Sequence, residues 1–151
     1  MTDGNILRLL KLKIPVLWFL GPRIVRVDQE VAEIRIPLTW RTRNHLRVMY
    51  VGALCAGADL AAGMGAARHI FGVGERIDLL FKDLHAEFLK RADGDVHFRS
   101  SQGARVAEAV ALTRRTGERV TIPVEVVATV PARYGEEPVA RFTMGLTMKR
   151  R

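Results

Sequence analysis

The chain has 151 residues, of which 48% are hydrophobic and 26% charged, a composition that is typical of globular proteins and excludes extended disorder. The formal net charge of +8 favours anionic partners, and the single Cys55 excludes an intramolecular disulfide and is typical of a reducing compartment. We therefore expect one domain over residues 1–151 in the cytoplasm.

The N-terminal segment, residues 1–21, predicts a short basic amphipathic helix that ends at Pro15 or at Gly21. Its cationic residues are Arg8, Lys11 and Lys13. The segment superficially resembles a signal peptide, but its apolar run has the minimum length and no small-residue cleavage site follows. Two roles stay open for this helix, a lid packed on the core and a contact with a membrane surface.

The next two elements are a strand region and a long helix. Apolar residues alternate over residues 24–38, and their parity slips between Asp28 and Glu30, which predicts a bulge or a tight turn. Residues 51–67 are apolar on every side except at Asp59, and such a pattern predicts a buried helix. Burying a carboxylate is costly unless it is paired, hydrogen-bonded or protonated, so Asp59 is the first candidate functional residue.

Glycines within this helix predict that a sheet or a second subunit comes very close to it, because glycine disfavours a helix interior. They are Gly52, Gly57, Gly63 and Gly65. A break at Gly72-Val-Gly74 then ends the helical region.

The second half of the chain predicts strands with one minor helix. Residues 84–98 alternate around Asp93-Gly94, which indicates a hairpin, and Gly103 begins a helix that Gly117 ends. Two strong strands follow, over residues 120–130 and 140–148. Such an α+β chain can bury its long helix only if an antiparallel sheet wraps around it.

The residues around the helix start form a recognisable pattern. Asn44 precedes Tyr50 by six residues, and Asp59 follows Tyr50 by nine. This spacing resembles the hotdog-fold acyl-CoA thioesterases of the phenylacetate-degradation type, whose motif is an asparagine, a His-Gly-Gly at the helix start and an acid on the helix. Gly52 matches the second glycine, whereas Tyr50 and Val51 replace the histidine and the first glycine.

The resemblance implies hydrolysis of an acyl-CoA or a related acyl thioester, with coenzyme A as part of the substrate and no separate cofactor. Asp59 would act as base or nucleophile, Asn44 would orient water or donate to the carbonyl, and the amides of Val51 and Gly52 would stabilise the oxyanion beside Tyr50. Because Asp59 lies roughly 12 Å from Val51 by helix rise, these groups would meet between subunits of a dimer or tetramer.

Basic residues immediately ahead of the helix are candidates for holding the phosphates of coenzyme A, because guanidinium pairs well with phosphate. They are Arg41, Arg43 and Arg47, with His45 beside them. As exposed charges they could instead be merely solvated.

Other interpretations stay open. Asp59 can be a structural hydrogen-bond acceptor, Asn44 a turn residue or helix cap, and Tyr50 a core aromatic. A protein of this fold can also bind an acyl thioester or fatty acyl group without turnover. A basic adaptor for membrane or nucleic acid depends on charge alone, and the few scattered aromatics disfavour nucleic acid. The sequence carries no zinc, P-loop or dinucleotide-binding motif.

Overall fold

A computed structural model describes residues 2–71, 74 and 76–151 of the chain. The helices within these residues are α1 (Asp3–Lys13), α2 (Pro15–Leu20), α3 (Val51–Ile70), α4 (Gly103–Thr116) and α5 (Pro131–Tyr134). The strands are β1 (Arg23–Val27), β2 (Ala32–Ile36), β3 (Ile77–Phe88), β4 (Val96–Ser100), β5 (Val120–Thr129) and β6 (Pro138–Arg150).

The strands form one antiparallel sheet in the order β1-β2-β4-β5-β6-β3. The long helix α3 packs against β2, β3, β4 and β5, and α1 and α4 pack against α3 in turn. The sheet therefore wraps around one central helix, and the predicted α+β class is confirmed. None of the described helices is both long and apolar enough to cross a bilayer.

The N-terminal segment folds as two helices, because Pro15 interrupts the first one and Gly21 ends the second. Gly21 has a positive φ of 67°, a conformation that glycine adopts without strain. The buried residues of α1, Ile6 and Leu7, belong to the main hydrophobic core. The segment thus covers part of the core, as expected of a lid.

The predicted slip between the first two strands is a tight turn. The Oδ1 atom of Asp28 accepts hydrogen bonds from the backbone amides of Glu30 and Val31, both at 2.9 Å. The backbone amide of Asp28 donates to the carbonyl of Val31 at 2.8 Å, which closes the turn between β1 and β2. A carboxylate that bonds the backbone two and three residues ahead is a usual way of making such a turn.

The glycines of α3 differ in their surroundings. A Cβ atom at Gly57 would overlap the ring of Phe98, so the predicted close approach of the sheet is confirmed there. At Gly65 the nearest atom would be the Cβ of Ala32 at 3.7 Å, an ordinary contact. At Gly63 no atom of this chain lies within 4 Å, so the sheet does not come close there, and the approach of a second subunit stays a prediction. The predicted break after α3 begins at Gly72, outside the described residues.

The predicted hairpin between β3 and β4 is wrong. β3 pairs with β6 at the sheet edge, whereas β4 lies between β2 and β5. The connection crosses the sheet, and the amides of Leu89 and Lys90 both donate to the carbonyl of Val139, at 2.8 and 3.1 Å. Asp93 pairs with Arg133 at 3.2 Å instead of closing a turn. The turn-forming pair Asp93-Gly94 therefore lies in a connection between two strands that are not neighbours in the sheet.

The last two strands agree with the prediction. β5 and β6 pair from Val120 with Met148 to Thr129 with Pro138, and the short helix α5 lies in their connection. α4 ends at Gly117, which has a φ of 70°, as the sequence predicts. β3 begins at Ile77, seven residues before the strand that the alternation predicted. This additional half of β3 forms one wall of the candidate site.

Candidate active site

Asp59 lies on a side of α3 that the sheet leaves uncovered. Residues at helical spacing along this side, Gly52, Cys55, Asp59 and Gly63, are exposed or half-buried, whereas most of the helix is buried. The sequence predicted a carboxylate sequestered in the core, and this is corrected: Asp59 is solvent-exposed in the single chain. The apolar pattern of α3 did not reveal the orientation of Asp59. Gly52, Cys55 and Gly63 are on the same side of the helix and are not charged, although they are not buried.

The side chain of Asp59 lines a cavity of about 520 Å³. Small-molecule sites usually range from roughly 300 to 1,000 Å³ and are mostly apolar, so the cavity is large enough for a ligand. Its walls come from α1, α2, the second half of α3 and the beginning of β3. The lining residues are Leu10, Ile14, Leu17, Asp59, Leu60, Gly63, Ala67, Ile70, Phe71, Ile77, Asp78, Leu79, Leu80 and Phe81. Two aspartates are thus the charged groups of an otherwise apolar lining.

These two aspartates differ in their partners. The Oδ2 atom of Asp78 accepts a hydrogen bond from Nε of Arg151 at 2.6 Å, so its charge is compensated. Among the described residues, Asp59 has neither a hydrogen bond nor an ion pair. Although Asp59 reaches solvent, apolar side chains crowd its carboxyl, and this desolvation raises its pKa. An unpaired carboxylate with a raised pKa beside an apolar cavity is suited to general-base or nucleophilic chemistry.

Asp78 and the β3 wall of the cavity were not predicted from the sequence. The alternation of Ile77, Leu79 and Phe81 carried the necessary signal, because these apolar residues have the same parity and flank Asp78. All three residues pack partly buried against the core.

The first turn of α3 is exposed. Its N-cap residue, Tyr50, has an extended backbone and makes no side-chain cap. The Tyr50 ring lies so close to Gly52 that a Cβ atom there would overlap it, so the near neighbour of this glycine is an exposed side chain and not the sheet. Tyr50 is 55% exposed, so the core-aromatic alternative is wrong. No described residue accepts a hydrogen bond from the amides of Val51 and Gly52, as is usual for the first amides of a helix.

Asn44 shapes the loop that leads into α3. Its Oδ1 atom accepts hydrogen bonds from the amides of Leu46 at 2.9 Å and Val48 at 3.3 Å, while its backbone amide donates to the Val48 carbonyl at 2.8 Å. This geometry is that of a turn residue, one of the two alternatives the sequence left open. The Nδ2 group donates to no described residue, so a donor remains for another role.

The basic loop residues lie near the start of α3 and away from the cavity. Arg41, Arg43, His45 and Arg47 are all exposed, and none of them lines the cavity. The guanidinium of Arg41 lies 5.8 Å from the ring centre of Phe19. These residues therefore lie in the loop of Asn44, next to the first turn of α3. Asp59 lies about two turns further along α3.

The described residues do not favour cysteine or metal chemistry at this site. Cys55 is half-buried one turn before Asp59, and burial raises the pKa of its thiol, which disfavours the reactive thiolate. Within the described residues, no group of three or more histidine, cysteine, aspartate or glutamate side chains is placed to hold a metal ion.

Solved structures similar to the chain come from several bacteria. A protein of unknown function from Chlorobaculum tepidum has a TM-score of 0.86 at 13% identity, over 99% of this chain and 94% of its own. A Pseudomonas aeruginosa protein described as a probable thioesterase has a TM-score of 0.76 at 20% identity, over 98% and 96%. A Haemophilus influenzae thioesterase has a TM-score of 0.70 at 15% identity, over 99% and 92%. At these identities the likeness shows the fold, and the predicted hotdog fold is confirmed.

Comparison with family models finds one whose description is "Domain of unknown function (DUF4442)", and it matches residues 3–147. A search of curated protein sequences finds no significant match.

Proposed function

Because the chain belongs to the DUF4442 family and has the hotdog fold found in solved thioesterases, we propose that it hydrolyses an acyl thioester such as an acyl-CoA. The observation that carries the proposal is the unpaired Asp59 carboxyl beside an apolar cavity of about 520 Å³. The acyl chain occupies the cavity, and its thioester carbonyl lies at the Asp59 end.

Asp59 activates the attacking group in this proposal. As a general base it takes a proton from water while the water oxygen bonds to the carbonyl carbon, and the carbon–sulfur bond then breaks. The thiolate leaves and takes up the proton, so the products are a free acid and coenzyme A. As a nucleophile, Asp59 would instead form an acyl anhydride that water hydrolyses afterwards.

The oxyanion that forms during this reaction needs hydrogen-bond donors. The exposed amides of Val51 and Gly52 at the positive end of α3 suit this task. They lie roughly 12 Å along the helix from Asp59, so they cannot serve the same site within one chain. We therefore assign Asp59 and these amides to different subunits, with Asn44 and Tyr50 beside the amides.

The edge of the sheet supports a homo-oligomer, either a dimer or a tetramer. β3 is an edge strand whose outer side pairs with no described strand. Leu84 and Phe88 share the face of β3 that packs towards the core, since the Phe88 ring contacts the buried Phe142 edge to face at 6.1 Å. They nevertheless remain 42% and 50% exposed. A second subunit would cover apolar surface that the single chain leaves open.

The loop arginines are candidates for binding the other end of the substrate. If the thioester carbonyl sits at the first turn of a neighbouring α3, the loop carrying Arg41, Arg43 and Arg47 lies next to the coenzyme A portion. These exposed guanidinium groups, with His45, would bind its phosphates. The cytoplasm, where coenzyme A esters are available, is the proposed location.

Thiol release from a panel of acyl-CoAs tests the proposal. We expect Asp59→Asn to lower turnover at least about a hundredfold, the usual contribution of a general base. Glu108→Gln is the matched control, because Glu108 is an exposed acid on α4 outside the cavity. Wild-type turnover in a folded Asp59→Asn protein would refute the assignment.

A mixing experiment tests the shared site. Asn44→Asp keeps the oxygen that accepts the Leu46 and Val48 amides and removes the Nδ2 donor. If each site takes Asp59 from one subunit and Asn44 from another, a mixture of inactive Asp59→Asn and inactive Asn44→Asp chains contains dimers with one intact site. We expect activity to return after subunit exchange. No recovery in demonstrated mixed dimers would place both residues in one chain's site or exclude Asn44.

Binding without turnover is a second candidate function, favoured by Tyr50 and Val51 at the positions of the motif's histidine and first glycine. An acyl-CoA would then raise the melting temperature without releasing thiol, because a ligand that binds only the folded state stabilises it.

A further inference from the structure

The end of α1 and most of α2 present large apolar side chains to solvent. From Leu12 to Phe19 every residue except Leu17 is exposed, and Leu12 and Trp18 are 80% and 65% exposed. The ring of Phe19 meets that of Trp40 edge to face at 6.0 Å, so Trp40, which is 72% exposed, extends the same surface. The apolar N-terminal surface consists of Leu12, Ile14, Val16, Trp18, Phe19 and Trp40.

Cationic residues flank this surface along the chain, and one of them contacts it. Arg8, Lys11, Lys13 and Arg23 belong to the same part of the chain, and Arg41 lies over Phe19. No ion pair joins any of these five to a described carboxylate. Asp3 is the one acid before residue 28, and it pairs with Arg68 at 2.7 Å. Burial and the nearby Arg23 lower the pKa of Lys11, as expected where cations are crowded.

We propose that the apolar N-terminal surface docks on an anionic lipid bilayer. Its aromatic and aliphatic side chains would enter the headgroup region, where tryptophan is favoured, and the surrounding lysines and arginines would contact lipid phosphates. The charge decides between occupants, because a second copy would bring the same cations face to face. The aliphatic Leu12, Ile14 and Val16 suit hydrocarbon, whereas a nucleic acid needs flat stacking surfaces.

Docking would bring the cavity close to the lipid. Ile14 and Leu17 line the cavity and belong to the segment that carries this surface, so the segment separates the bilayer from the cavity. Membrane binding itself does not require Asp59 to be catalytic. Its test therefore succeeds or fails independently of thioester hydrolysis.

Sedimentation of the full chain with vesicles tests the proposal. We expect binding to vesicles of phosphatidylcholine mixed with phosphatidylglycerol, weaker binding as salt increases, and little binding to phosphatidylcholine alone. Both tryptophans of the chain lie in the surface, so a blue shift of their emission would report insertion directly.

Variants with matched controls identify the residues. We expect Trp18→Ala to weaken binding roughly tenfold, and Lys13→Gln about fivefold. Leu112→Ala and Arg115→Gln remove one exposed apolar and one exposed cationic side chain from α4 and should leave binding unchanged.

Three results would overturn the proposal. The first is no retention of the folded chain on anionic vesicles, and the second is equal retention on neutral vesicles. The third is loss of self-association in Trp18→Ala, measured by light scattering, with vesicle binding unchanged, because a second copy would then cover the surface.

Discussion

The ring of Phe98 lies directly against Gly57, so that this β4 side chain contacts the backbone of α3 with no α3 side chain between them. Phe98 is fully buried, so its ring cannot turn out into solvent without disturbing the core. We expect Gly57→Ala to lower the free energy of unfolding by about 1–3 kcal/mol through overpacking. Urea denaturation measures the change.

Gly63→Ala should raise the free energy of unfolding, the opposite of the effect expected for Gly57→Ala. No atom lies within 4 Å of a Cβ built at Gly63, so alanine gains helix propensity without a clash. We expect stabilisation of about 0.5–1 kcal/mol in the same urea experiment. Equal destabilisation by the two substitutions would contradict the packing explanation of Gly57.

The ionisation of Asp59 should make stability depend on pH. Burial raises its pKa, so the stability associated with its protonated form is fully present below the unfolded value of about 3.9 and is lost as pH rises through the folded value. We therefore expect Asp59→Asn to unfold at a higher temperature than the wild type at neutral pH. The difference should shrink in acid, and a pH-independent difference would argue against a desolvated carboxyl.

The raised pKa of Asp59 should also affect how the rate of thioester hydrolysis depends on pH. A general base acts when it is deprotonated, so hydrolysis should increase with pH through a value above that of an ordinary aspartate. The pH profile of kcat/KM measures this value for the free protein. An acid limb at the ordinary aspartate value would exclude Asp59 as the titrating base.

The Asp28 turn should respond to acid in the opposite direction. The backbone amides of Glu30 and Val31, together with Arg26, lower the pKa of Asp28 to about 2. Its stabilising contribution is therefore present above about pH 3.9 and lost as pH falls towards 2. We expect Asp28→Ala to be less stable than the wild type at neutral pH and nearly equal to it near pH 2. Asp28→Asn keeps an acceptor oxygen and should lose mainly the pH dependence.

A charge on the uncovered part of β3 should disrupt the proposed oligomer. Leu84→Lys places an ammonium group where a second subunit would bury a leucine, and an unpaired buried charge is strongly disfavoured. We expect the variant to elute as a monomer under conditions where the wild type is a dimer or tetramer, as measured by light scattering. Leu112→Lys on α4 is the control, and dissociation of both variants would indicate a nonspecific effect.

Local patterns predicted the elements that depend on nearby residues. The all-apolar stretch around Asp59 identified α3, and strict alternation identified β5 and β6. Strand pairing depends on distant residues, so the turn-forming pair Asp93-Gly94 gave the wrong neighbour for β3.

The candidate site shows the same division between local and distant information. Asn44 and Asp59 were found from their spacing, and their catalytic roles stay predictions. The exposure of Asp59 depends on which helix face the sheet leaves open, and the residue types of α3 do not reveal this. The cavity could not be predicted from local patterns, because its walls come from the N-terminal helices, α3 and β3 together.

The pairing of β3 with β6 has a consequence for synthesis. Phe81 pairs with Leu146, and Ile77 pairs with Arg150. The first half of β3 therefore emerges from the ribosome long before its partner residues in β6. Until then this strand has no neighbour on either side and is exposed to chaperones and to association with other nascent chains. The cavity that β3 lines can therefore be completed only after the residues up to Arg150 have left the ribosome.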